Sequence, residues 1–207
     1  VFLLIAGGLI GSSTPPYGNY LLGWIGYSIV AVVFLTTPKE NIRSLMIYIP
    51  FFVIPMRLVF YPWFFTAIQE QFSASSIVTL LILIGGHLLL ISINCFYGFI
   101  YARLGSILPA RLSYQAIFLW LFFVFWDSTE IGPFPDNIII TTVGSTILFS
   151  ANFYLKPLGL RFMLFGFSTL LAFIFIKYYK KSKMRFIVYS SLSTLVVWST
   201  LYGIGIK

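Results

Sequence analysis

Acid is what this sequence has least of: five carboxylates in 207 residues, against thirteen lysines and arginines, one histidine and one cysteine. A single cysteine, Cys95, excludes an intrachain disulfide and any cysteine-based metal cluster. The single histidine, His87, has no Asp or Glu near it in sequence, so no metal set is expected. Charged residues make up only 9% of the chain, where soluble domains carry roughly 25%. So little charge cannot cover a water-exposed surface. Internal repeats and low-complexity linkers are also missing. The hydroxyl pairs Ser12–Ser13 and Thr141–Thr142 lack an adjacent His or Lys base, which removes a hydrolase reading.

Apolar residues fill the chain instead: 59% hydrophobic, 20% aromatic. Ile77 to Ile100 carries one ionisable side chain in 24 residues, and about 20 such residues span a hydrocarbon core as a helix. The composition therefore predicts a single all-α, polytopic membrane domain over 1–207. A net charge of +8 taken alone suggests nucleic acid, but the cations fall in short runs between apolar segments, as cytoplasmic loops do. Partners are expected among membrane lipids and proteins, with no nucleic acid and no cofactor. The first apolar run, Val1 to Ile10, is too short to cross alone, so residues are expected ahead of Val1. No basic n-region or small-residue cleavage site marks a signal peptide.

Spans are expected up to about Gly11, then over Tyr20–Thr36, Leu45–Phe65, Ile77–Ile100, Ser113–Trp126, Phe162–Ile176 and Phe186–Ile204. The segment 138–160 decides the topology. As a full span it would place "KYYKKSKMR" on the side of Glu70, Asp127 and Glu130. As a re-entrant or interfacial segment it leaves nine basic residues and one acid, Glu40, on a single side. Charge bias favours the latter, and Gly144, Asn152 and Pro157 suit irregular backbone shielded by protein. The expectation is seven spans with the N-terminus cytoplasmic and Lys207 outside.

The order of "TPPYGNYLLGW", "YPWFFTAI", "FYGFIYARLGSILP", "GPFPDN" and "LKPLGLRFMLFGFSTLLAFI" resembles the membrane half of bacterial apolipoprotein N-acyltransferase along nearly the whole chain. That resemblance implies the inner membrane as location and lipid or lipoprotein as ligand. It departs from the family at its aromatic helix, where Val124 and Asp127 fall on a Glu and an Arg. Asp136 and Thr129 fall on two Trp positions. The resemblance also implies that acyl transfer is done by a nitrilase-like outer domain bearing Glu, Lys and Cys, placed after the seventh span. These 207 residues end where that domain would begin, so a non-catalytic, pseudoenzyme-like subunit of an envelope complex is expected. The alternative is the membrane half of a genuine enzyme. A transporter or channel subunit is a weaker third reading, because intramembrane charge is confined to Arg57 and no broken helices repeat across two halves.

Candidate contacts for lipid or partner are Arg57, Trp63, Trp126, Asp127, Glu130, Phe134 and Asp136. Arg57, within the third span, is expected to bind a headgroup or partner, to snorkel outward, or to pair with Glu70. "FWDSTEIGPFPDN" reads as an acidic exit turn. Gly85 and Gly86 should admit a neighbouring helix, with His87 hydrogen-bonded across that contact. Lys177, Lys180, Lys181, Lys183 and Arg185 form a basic loop that fixes topology or meets anionic lipid. Cys95, among apolar residues, is expected to stay an inert thiol.

Overall fold

The computed structural model describes residues 1–13, 20–129, 146–179 and 181–205. Among them every regular element is helical: α1 Phe2–Ser12, α2 Tyr20–Thr36, α3 Ile42–Phe72, α4 Ser76–Ile107, α5 Leu112–Ser128, α6 Thr146–Tyr178 and α7 Lys183–Gly205. Three helical stretches are long and apolar enough to cross a membrane: Ile42–Val59, Ser76–Ile107 and Leu155–Tyr178. The helices at Phe2–Ser12, Leu21–Thr36 and Leu112–Ser128 are apolar but shorter.

Two helices overrun their expected ends. α3 continues through "TAIQEQ" and stops only where Ser73 turns left-handed at φ 49°. α4 continues through "YARLGSI" until Leu108 becomes extended ahead of Pro109, because a residue before proline leaves the helical region. Polar residues such as Gln, Glu and Arg are good helix formers, so polarity alone does not end a helix. Asn41 caps the start of α3 by accepting from the Ser44 N–H at 3.2 Å, and Ser75 caps α4 by accepting from Val78. In the described part of 138–160, α6 breaks at Lys156, whose φ of 58° precedes Pro157. Residues 138–145 lie outside the described residues.

The core is built where backbones approach closely. α1 packs on both α2 and α3. A side chain on Gly7 would overlap the carbonyl of Phe52, and one on Gly11 would fall 2.6 Å from the carbonyl oxygen of Met56. Gly7 and Gly11, four residues apart, thus form the small-residue seam that lets α1 lie on α3. Sequence reading passed over this spacing although it was visible in "AGGLIG". Around the seam, aromatic edges fill the interior: Trp24 on Phe167, Tyr27 on Phe165 and Phe123 on Phe165.

Helices α5 and α6 run antiparallel, since Trp120 meets Phe162 and Gly166 while Asp127 meets Arg161. The α2–α3, α4–α5 and α6–α7 connections therefore lie at one end of the bundle, the basic end. Lys39 closes it from within. Only 7% exposed, it folds back so that its ammonium donates to the carbonyls of Phe34 and Thr37, the free acceptors at the end of α2. It also lies 4.6 Å over the Tyr101 ring and packs against Gly105. Burial pulls Lys39 down from 10.5 to about 8, against a smaller opposing effect of Glu40.

Two outcomes follow. Gly7→Val should destabilise α1 on α3 by roughly 2–4 kcal/mol, as overpacking against backbone does, whereas Gly8→Ala, with open space at its Cβ, should be neutral; thermal melts in detergent separate the two. For Lys39, the unfolded chain holds its proton up to 10.5 and the folded chain only to about 8. Between these values the unfolded state binds more protons, so stability rises with pH there and is lost as pH falls towards 8. Lys39→Met should flatten this part of the melting-temperature profile.

Candidate functional site

With a rise of about 1.5 Å per residue, Arg57 on α3, Asp127 on α5 and Arg161 on α6 all stand about 22–26 Å from the basic end of their helices. The bundle thus carries one charged layer far from that end. Asp127 sits on the last turn of α5 and accepts from Arg161 Nε at 2.8 Å, with side-chain exposures of only 9% and 8%. Arg57 is 5% exposed. Tyr27 of α2 enters the same interior, its ring edge-on to Phe165 of α6. α2, α3, α5 and α6 thereby contribute side chains to this part of the bundle.

Beside the charges lies a hydrogen-bonded aromatic brace. Trp126 donates its indole N–H to Asn94 Oδ1 at 2.9 Å and stacks on Tyr97 with centroids 5.5 Å apart. Tyr97 joins its hydroxyl to that of Thr129, which donates in turn to the Trp126 carbonyl at 2.8 Å. Phe52 and Phe122 close on the same indole edge-on. The half-buried indole finds its acceptor here, and the end of α5 is fixed to α4. On the other face of α5, Trp120 donates to the Phe162 carbonyl at 2.8 Å and lies in the notch left by Gly166.

These positions correct several expectations. Asp127 is not an exposed residue of an exit turn: α5 runs through Ser128, and the carboxylate is turned inward to a cation. Arg57 is covered by protein, and Glu70, exposed and about 20 Å further along the same helix, is out of its reach. Among the described residues none comes within 4 Å of a Cβ placed on Gly85, so the close helix contact expected there does not form among them; His87 is half-buried. Lys177, Lys181, Lys183 and Arg185 are exposed at the basic end. Glu130, Phe134, Asp136 and Lys180 lie outside the described residues, and so does the side chain of Trp63. Among the described residues no cluster of three potential metal ligands forms.

Sequence reasoning missed Arg161 as the partner of Asp127. Both fall at the same end in the charge count, and that opposite-sign proximity was the available signal. It also missed Asn94, which looked like any polar residue in an apolar run. Chemically the layer holds and orients charge. The chain's one thiol, Cys95, donates to the Met46 carbonyl at 3.7 Å near the start of α3, an acceptor that favours the protonated form over a nucleophilic thiolate.

Breaking one half of the Asp127–Arg161 pair strands a buried charge. Asp127→Ala should cost about 3–5 kcal/mol, and Asp127→Leu combined with Arg161→Leu should recover much of that loss; a double-mutant cycle on detergent melting temperatures reads the coupling. Comparison of the chain with family models, with curated proteins and with solved structures gave no match.

Proposed function

We propose that this chain is a non-catalytic, multi-pass subunit of a bacterial inner-membrane complex. Its basic end faces the cytoplasm and its charged layer is oriented to the outer leaflet. In this reading the chain crosses seven times, with 138–160 re-entrant or interfacial. It resembles the membrane half of apolipoprotein N-acyltransferase and binds lipid, lipoprotein or partner helices at the outer end. The observation that carries the reading is the buried Asp127–Arg161 pair with Arg57 at the same level. An intramembrane charge layer marks a functional position. This one is built to hold a polar group of a ligand or partner, while the thiol of Cys95 is held in its unreactive form.

Collecting the exposed cations at the basic end supports the orientation, since lysine and arginine accumulate on the cytoplasmic side. The resemblance supplies the lipoprotein link and rests on motif order alone.

Mass spectrometry on the protein isolated from its native membrane decides between this reading and the enzyme. A subunit near 23.5 kDa with stoichiometric partner chains, and no acyl transfer to a diacylated lipopeptide, is the expected result. A mass more than twice that, with transfer activity, would make the chain the membrane half of a genuine N-acyltransferase.

A further inference from the structure

The basic end is more than a row of topogenic charges. Arg43, Arg103, Arg111, Lys177, Lys181, Lys183 and Arg185 are all exposed there, although they come from three connections far apart in sequence. Glu40 is the one acid on these connections, and no carboxylate side chain follows Asp136 in the sequence. The α6–α7 corner therefore carries positive charge without internal compensation. Lys39 is excluded from this surface, being used inside as the cap of α2.

Ring contacts also brace the corner. Tyr179 stacks on Phe175 with centroids 4.6 Å apart, and Phe186 from α7 meets both rings edge-on at 5.8 Å. Tyr178 meets Tyr189 across the same turn. Lys177 lies 5.2 Å over Phe173 and 5.1 Å over Tyr178, and the Ser182 hydroxyl accepts from the Arg185 N–H at 3.3 Å to start α7. Cations on a braced turn lose little further freedom when they bind, so more of their attraction for an anion is realised. The tyrosines alongside suit the level where hydrocarbon meets headgroups.

We propose that the α6–α7 corner, through Lys177, Lys181, Lys183 and Arg185, is a selective binding site for the headgroups of anionic phospholipids. The corner takes a phosphate-bearing headgroup of net negative charge and discriminates against zwitterionic ones, whose ammonium group meets the same cations. This inference rests on the membrane reading above and on none of the acyltransferase likeness.

The test is native mass spectrometry of the full chain released from nanodiscs of equal parts phosphatidylcholine and phosphatidylglycerol. Phosphatidylglycerol should be retained in excess. The triple variant K181Q/K183Q/R185Q should lose that enrichment by at least about fivefold, on the scale of one surface cation or more. Lys156→Gln, an exposed cation placed beyond the charged layer on α6, should leave it unchanged. Raising the salt concentration should erode the wild-type enrichment, which provides a readout independent of the variant's folding. Retention of both lipids in proportion, or enrichment that survives the triple variant and high salt, overturns the headgroup site while leaving the membrane reading intact. Retention of no phospholipid from any mixture overturns both.

Discussion

A carboxylate inside an apolar bundle has to be matched by a cation, and the 2.8 Å contact between Asp127 and Arg161 sets the terms for much of what surrounds it. It fixes how far α5 rises beside α6, and so which residues of each helix face the other. Trp120 then falls in the Gly166 notch, and Phe123 reaches Phe165. On the opposite side of α5 the same height brings Trp126 to Asn94 and Tyr97. The apolar packing around these groups supplies most of the area. Packing alone is tolerant of small slips, and the charge pair and the indole hydrogen bond are not.

Much of the fold was legible because membrane-type helices announce themselves by continuous apolar length. α2 has the bounds expected from its composition, since its apolar run ends cleanly at the threonines before Pro38. Ends marked only by polar residues were misread. "IQEQ" and "YARLG" looked like loops and are helix, because nothing in them opposes helical backbone; the stops come from the left-handed Ser73 and the extended Leu108. The charged layer was legible in part. Arg57 stood out as an isolated intramembrane cation, but its depth is a matter of three dimensions. That Asp127 faces Arg161 depends on the rotation of two helices, and a sequence without clear amphipathic periodicity does not reveal it.

Lys39 shows the same limit from the opposite direction. Counted along the chain it is one more surface cation in a basic loop. Folded, it occupies the inside of the bundle, where the carbonyls at the end of α2 and the face of Tyr101 receive it. The two ends of the molecule thus hold charge differently. At one end the charged groups are buried among the helices, while most cations at the other stand exposed.

The unequal lengths of the helices carry a consequence for the surrounding lipid. α5, with 17 residues, rises about 25 Å, while the apolar stretch Ile77–Ile100 of α4 rises about 36 Å. Both present apolar side chains outward: Ile117, Leu121 and Phe125 on one, Leu81, Leu88 and Phe96 on the other. A flat slab of about 30 Å is too thick for the first and too thin for the second. In the membrane reading proposed above, the mismatch is taken up by tilt of α4 and by thinning of the bilayer beside α5. That deformation gives neighbouring proteins of matching height a reason to gather on one flank rather than the other, without any contact that is specific in chemistry.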